Sequence, residues 1–337
     1  MFKVFPDISL KSIASCVPED ERPNLRLFEK FGEEHMQRLI QSTGVHKTRW
    51  TKYTETAADL CFQAAKKLLQ VEDIDASSID ALVFSCISPD ELAPPTSHRL
   101  QFRLGLRKDI FCVDLTFGCS GYIMGISQAC LLIHSGIANR VLLLTGETPT
   151  KSLNPEDRST LPLFGDGGSA TIIEKDPGRQ ISISTFADGS GAEAIICDLS
   201  GYRRGAGNDP YLRMSGTDVF IFATREVPQS IDDHLKAIGT PIENINFYCL
   251  HQANILIINT IAKKLKMSPE RVLNSISDFG NTGSASIPIS LCFNHKKIEN
   301  TQGTKTALLS GFGVGLSWGS VVCDLTQTHI HPILISQ

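Results

Sequence analysis

Apolar and polar positions along this chain alternate between two periods. Short continuous apolar runs, β-branched in part, predict buried strands at 79–88 (IDALVFSCIS), 110–115, 140–148 (RVLLLTGET) and 245–254 (INFYCLHQAN). Residues 8–16 (ISLKSIASC) read as a first strand that ends at Pro18, and the charged stretch 17–30 reads as loop. Helical spacing takes over at 33–42 and again in TETAADLCFQAAKKLLQ, with Thr54 as its cap. Pro89, Pro94 and Pro95 break the chain before a further helix at 96–104. In 114–136 (DLTFGCSGYIMGISQACLLIHSG) a glycine-rich turn leads into Ile123, Ile126, Cys130 and Ile133, three or four apart on one face. Strands that alternate with helices predict an α/β architecture with a largely buried sheet.

The order of elements then repeats. Residues 211–239 read as helical overall, and INFYCLHQAN lays out strand and loop as IDALVFSCISPD does. A helix follows at 255–267. FGNTGSASIPISLCF (279–293) places a glycine-rich turn before a helix, as around Cys119, and 307–325 closes with a glycine-rich hairpin like TGE…FGDGGSATII. Two fused α/β halves, 1–175 and 176–325, are therefore expected, followed by a tail at 326–337. His329 and His331 in that tail read as solvated residues rather than metal ligands.

Composition narrows the class. The 337 residues are 42% hydrophobic and 20% charged, with a net charge of −4. No basic stripe suggests nucleic acid, and no apolar run suggests a membrane span. The N-terminal MFKVFPDISLKS lacks the apolar core of a signal peptide, so a cytoplasmic protein is expected. Ten cysteines show neither a CxxC pair nor zinc spacing, and most sit in apolar runs as small hydrophobes. No metal and no disulfide is expected.

Three loops carry candidate chemistry: Cys119 in FGCSGY, His251 in LHQAN and Asn281 in FGNTGS. Each follows a strand and leads toward a helix, and such loops gather at one end of an α/β sheet. At a helix start, Cys119 is expected to ionise more readily than a free thiol of pKa about 8.5. The helix end contributes only about 0.3–1 kcal/mol, so a further group must help. A thiolate can hold an acyl group as a thioester. His251 and Asn281 can each present an N–H to one oxygen, which suits an enolate formed as a β-carboxylate leaves. GDGGSA and GFGVG are weak as phosphate loops, since no Lys-Ser/Thr follows the glycines. Asp114 and Asp166 read as strand-end hydrogen-bond acceptors.

At this point the sequence resembles the 3-oxoacyl-(acyl-carrier-protein) synthase III family of the thiolase-like fold. DLTFGCSGY, EDRSTLPLFGDGGSA, MSGTDVF, LHQANILIINTIAKKL, FGNTGSASIP and GFGVGLSWGS carry the resemblance, in that order, across 8–325. It implies two duplicated α/β halves packed as a layered αβαβα pair. It also implies a decarboxylative condensation of acyl-CoA or acyl-carrier protein with malonyl-carrier protein, with Cys119 as nucleophile and His251 and Asn281 as decarboxylation donors. The oxyanion hole would use the N–H groups of Cys119 and Val314, and the acyl pocket Ala93 (from the neighbouring subunit), Phe117, Phe220 and Val314. Arg158, Lys263 and Lys264 would meet the donor or the carrier. No cofactor is implied beyond the coenzyme A or phosphopantetheine of the substrate, and a homodimer is expected.

The chain departs from the family pattern at the donor. No Trp precedes Gly44, Ser42 stands at a basic position, and Ile221 and Leu256 are apolar where relatives are basic. A longer acyl-CoA or an acyl-carrier protein is therefore expected in place of acetyl-CoA. Competing readings are a non-decarboxylating acyltransferase of the same fold and a non-catalytic partner subunit. A papain-like peptidase shares the Cys, His, Asn order but should show Trp beside an early Cys.

Overall fold

The computed structural model describes residues 1–197 and 210–337. In chain order its main strands are β1 (Phe2–Val17), β2 (Ala81–Ser85), β3 (Phe111–Leu115), β4 (Arg140–Glu147), β5 (Gly167–Ala187), β6 (Phe247–Leu250), β7 (Thr306–Gly313), β8 (Ser317–Asp324), β9 (His329–Ile330) and β10 (Leu334–Ile335). The main helices are α1 (Ala57–Val71), α2 (Thr96–Arg103), α3 (Gly121–His134), α4 (Gly216–Ala237), α5 (Ile255–Lys264) and α6 (Ser286–Phe293).

The strand order is the same on both sides of a shared seam. β1 runs antiparallel along β5, with Cys16 opposite Gly168 at one end and Phe2 opposite Ser184 at the other. The first limb of β5 continues through β4, β2 and β3. Its second limb continues through β8, β7 and β6. Where β3 lies parallel to β2, the other side has a single parallel bridge from Tyr248 to Val272.

Side-chain alternation along the strands explains the layers. Val83, Val141 and Leu143 face inward with Cys249, Leu309 and Val321, against Ile123, Ile126 and Ile133 of α3 and Ile287 and Leu291 of α6. The intervening Leu82, Phe84 and Leu142 face outward, onto Leu60 and Leu68 of α1. On the other side of the seam Tyr248, Leu250 and Leu308 meet Ala223 and Val227 of α4 and Ile258 and Ile261 of α5. Helix α3 is apolar on nearly all sides because it fills the middle layer. No helix among the described residues is long and apolar enough to cross a membrane.

Four expectations need correction. The cap of α1 is Thr56, not Thr54: Thr56 and Asp59 form a reciprocal capping box. The stretch 17–30 is not plain loop, because Asp20–Pro23 pairs with Lys47–Trp50 and short helical turns follow at Asn24–Leu27 and Phe28–Phe31. The helix expected from 211 starts at Gly216, after the short strand Arg213–Met214. The tail is part of the sheet, since β9 and β10 pair parallel with β1. His329 and His331 each bond one oxygen of the buried Glu72 carboxylate, at 2.7 and 2.6 Å. The two aspartates are structural, as expected. Asp114 accepts the first N–H groups of α2 from Thr96 and Ser97. Asp166 ties Thr51 to Thr150.

Candidate active site

Cys119, His251 and Asn281 line one cavity of about 330 Å³. Cys119 lies in the loop from β3 to α3, His251 directly after β6, and Asn281 in the turn before α6. The β7–β8 turn closes over the thiol. A Cβ on Gly313 would stand 2.8 Å from the Cys119 Cβ and 3.2 Å from its Sγ, so only glycine allows this approach. Ser317 anchors the turn by donating to the Val314 carbonyl at 2.7 Å, and it pairs with Ser120 at 2.6 Å. Val314 thereby lines the cavity beside Cys119.

The thiol is not acidified, contrary to expectation. Burial pushes Cys119 up to about 12, the Glu147 carboxyl adds to the rise, and only its own backbone N–H opposes it. A helix N-terminus worth about 0.3–1 kcal/mol, less than one pH unit, does not offset this. Glu147 lies in the same cavity wall, 2% exposed. Burial raises its carboxyl to about 8 despite hydrogen bonds from the Ile87 N–H and the Ser88 hydroxyl.

His251 and Asn281 are both anchored from behind. The Nδ1 of His251 lies 2.7 Å from the Ser286 hydroxyl. That oxygen also accepts from the Gln252 N–H at 3.5 Å, and we assign its own proton to Nδ1 as the choice that leaves an N–H free on the cavity side of the ring. The tautomer this assigns carries its proton on Nε2. Burial lowers the ring to about 3, which keeps it neutral. Asn281 uses Oδ1 to accept the Gly283 N–H at 3.0 Å, which leaves its NH₂ as the outward group. Its backbone is fixed by Leu163 and Gly165. Gly283 takes φ +57°, and a Cβ there would meet the Glu147 Cγ at 2.5 Å. The arrangement offers a nucleophile and two neutral N–H donors in a largely apolar chamber.

Other expected residues lie elsewhere. Ala93 is exposed, Phe117 and Phe220 are half-buried, and none of the three lines this cavity. Arg158 and Lys263 are exposed outside it. Lys264 donates to the Thr224 carbonyl at 2.7 Å, so it bridges α5 to α4. Sequence reasoning missed Glu147 and Ser286. TGE at the end of β4 looks like any strand-end acid. Among the described residues no group of three or more His, Cys, Asp or Glu could hold a metal.

Residues 113–191 match the family model described as 3-Oxoacyl-[acyl-carrier-protein (ACP)] synthase III. Residues 235–325 match 3-Oxoacyl-[acyl-carrier-protein (ACP)] synthase III C terminal. A beta-ketoacyl-(acyl-carrier-protein) synthase III of Streptococcus sanguinis (strain SK36) is 37% identical over 294 residues, 85% of this chain and 90% of that one. One from Lactococcus lactis subsp. lactis is 32% identical over 94% and 98% of the two chains. The crystal structure of a 3-oxoacyl-(acyl-carrier protein) synthase from Burkholderia xenovorans LB400 superposes with a TM-score of 0.94 at 32% identity, covering 100% and 99%. The priming beta-ketosynthase of the R1128 polyketide pathway superposes at 0.85 with 25% identity, covering 95% and 96%.

Proposed function

The chain belongs to the 3-oxoacyl-(acyl-carrier-protein) synthase III family, and from that premise we propose how its residues divide the work of a decarboxylative condensation. The Cys119 sulfur attacks the carbonyl of an acyl thioester. The N–H groups of Cys119 and Val314 receive the oxyanion, and the departing thiol of coenzyme A or carrier protein takes the proton. Malonyl-carrier protein then enters. His251 Nε2–H and Asn281 Nδ2–H donate to its thioester oxygen as the carboxylate leaves as carbon dioxide. The resulting carbanion attacks the acyl carbon and expels the Cys119 sulfur. The product is a 3-oxoacyl thioester, made for fatty-acid synthesis or a specialised lipid pathway.

The observation that carries this reading is the anchoring of His251 and Asn281 through Nδ1 and Oδ1, which directs both remaining N–H groups outward beside Cys119. Neutral donors suit an enolate, whereas transfer to oxygen or nitrogen calls for a base.

The donor reading rests on the walls. Ile87, Leu163, Phe164, Ile195 and Leu212 give the chamber an apolar lining suited to an acyl chain. Trp50 is engaged by Arg22 and Arg26, whose guanidinium carbons lie 4.3 and 5.1 Å from its ring. Ile221 and Leu256 are 48% and 50% exposed. These features favour an acyl chain longer than acetyl, delivered on coenzyme A or a carrier, with Arg158 and Lys263 as the cations available to it. Two duplicated units, 1–175 and 176–325, share the seam of β1 and β5. A cytoplasmic homodimer is part of this reading, with β3, the strand at the sheet edge, as the edge open to a second copy and Ala93 of that copy at the end of the acyl pocket.

The test supplies an acyl donor and carboxyl-labelled malonyl-carrier protein. Release of labelled carbon dioxide that depends on the acyl donor supports the reading. Acyl transfer to oxygen or nitrogen without carbon dioxide would replace it with the acyltransferase. No acyl uptake at all would leave a partner subunit.

A further inference from the structure

Glu147 is the one buried acid in the wall of the Cys119 cavity, among the described residues, that the condensation does not use. Its contacts come from two separate segments. Both carboxyl oxygens face the Ile87 N–H, at 3.1 and 3.3 Å. The Ser88 hydroxyl donates to Oε2 at 3.0 Å, and the Cys86 thiol approaches the same oxygen at 3.7 Å. Ser88 also receives the Thr148 N–H at 3.1 Å, so the loop after β2 is stitched to the end of β4. On its other side, the Cβ and Cγ of Glu147 pack against Gly283, where a Cβ would stand 3.1 and 2.5 Å from them. Gly283 is the residue whose N–H fixes the Asn281 side chain.

We infer that Glu147 is a positioning residue for both half-reactions, a buried carboxyl that locks the Ile87–Ser88 loop and the Asn281–Gly283 turn around Cys119 and sets its charge in the same cavity wall as the thiol. The inference rests on Cys119 as the acyl acceptor and His251 and Asn281 as the donors.

Two physical points support it. Side-chain packing, not a hydrogen bond, couples Glu147 to the Asn281 turn. A side chain that branches at Cγ, as leucine does, therefore crowds the turn at Gly283 and leaves the Ile87 N–H without its acceptor. The second point is charge. The charge of Glu147 raises the thiols of Cys61, Cys86 and Cys119, while Asp90, Lys151, Cys197 and His251 are the other titratable groups lining the same cavity among the described residues. Burial places its ionisation at about 8, within reach of working pH. A carboxylate there opposes a second negative charge on the neighbouring sulfur.

The experiment compares wild type, Glu147→Gln and Glu147→Leu. The first readout is alkylation of Cys119 by iodoacetamide, followed by peptide mass between pH 6 and 10. It requires no knowledge of the natural substrate and stays interpretable if the condensation reading fails. The amide keeps the acceptor for Ile87 but cannot ionise. Glu147→Gln should alkylate about tenfold faster than wild type at pH 9, one unit of thiol pKa, with the two curves converging below pH 7. The second readout is the ratio of carbon dioxide release to self-acylation. Glu147→Leu should depress this ratio more than tenfold, and Glu147→Gln should restore most of it. Superimposed alkylation curves for wild type and Glu147→Gln would overturn the charge role. A Glu147→Leu protein that keeps the wild-type ratio would overturn the positioning role. If Glu147→Leu does not fold, the pH curves of Glu147→Gln decide alone.

Discussion

Asn281→Asp separates the two half-reactions most cleanly. The substitution is isosteric, and the carboxylate still accepts the Gly283 N–H that now lies 3.0 Å from Oδ1. The backbone bonds of residue 281 to Leu163 and Gly165 do not involve the side chain. The turn should therefore keep its shape. What changes is the outward group: an NH₂ donor becomes an oxygen that carries negative charge. Losing one such donor costs about 2.7–4 kcal/mol, or roughly 10² to 10³ in rate. Repulsion between the new carboxylate and the developing enolate adds to this in a largely apolar cavity. Carbon dioxide release should fall at least 10²-fold by that reckoning. Self-acylation does not use this donor. It should fall no more than about tenfold, through the extra charge on a thiol already held up by burial. The assay pairs labelled carbon dioxide release with acyl uptake by intact mass, on the same preparation. Equal losses in both would refute the reasoning and make Asn281 a structural residue.

Further outcomes follow from the same geometry. Gly313→Ala places a methyl 2.8 Å from the Cys119 Cβ, so the turn or the thiol must shift, and it should both slow acyl uptake and lower the melting temperature. Burial holds His251 near 3 and His234 near 4, so both stay neutral in the fold while the unfolded chain protonates them near 6.5. Their contribution to stability is complete above about 6.5 and is lost as pH falls toward 4 and 3. His234→Gln should flatten the acid limb of melting temperature against pH. Carbon dioxide release, which needs neutral His251, should show no inflection near pH 6.5. Removing 326–337 unpairs β9 and β10 from β1 and frees Glu72, and should lower the melting temperature without lowering acyl uptake per folded molecule.

Most of the frame was legible from the chain because apolar periodicity dictates it. The runs at 79–88 and 140–148 are buried on both faces, and the repeated order of elements showed the duplication. The loops of Cys119 and His251 were legible because each follows a strand; Asn281, expected to do the same, instead follows the short helix Ile276–Phe279, and the glycines around it were its signal. Thr56 was also within reach: Thr56 and Asp59 have box spacing, whereas three residues beyond Thr54 stands Ala57, which cannot reciprocate. Other features depend on distant segments. β9 and β10 are two residues each and have no period of their own; they are strands only because β1 offers an edge. Glu147 is buried by loops around residues 87 and 283, far from it in sequence. Burial also pushes the Cys119 thiol up, against the expected direction, because local helix geometry does not report desolvation by distant segments.

The central claim is that Cys119 carries the acyl group. The direct measurement is peptide mass mapping after brief exposure to a series of acyl-CoA and acyl-carrier donors, with Cys119→Ala in parallel. The account predicts one acyl increment on the peptide that contains Cys119, labile to hydroxylamine as a thioester, and none on the variant. An acyl group on the exposed Cys197, which shares the cavity, or persistent acylation of Cys119→Ala would contradict it.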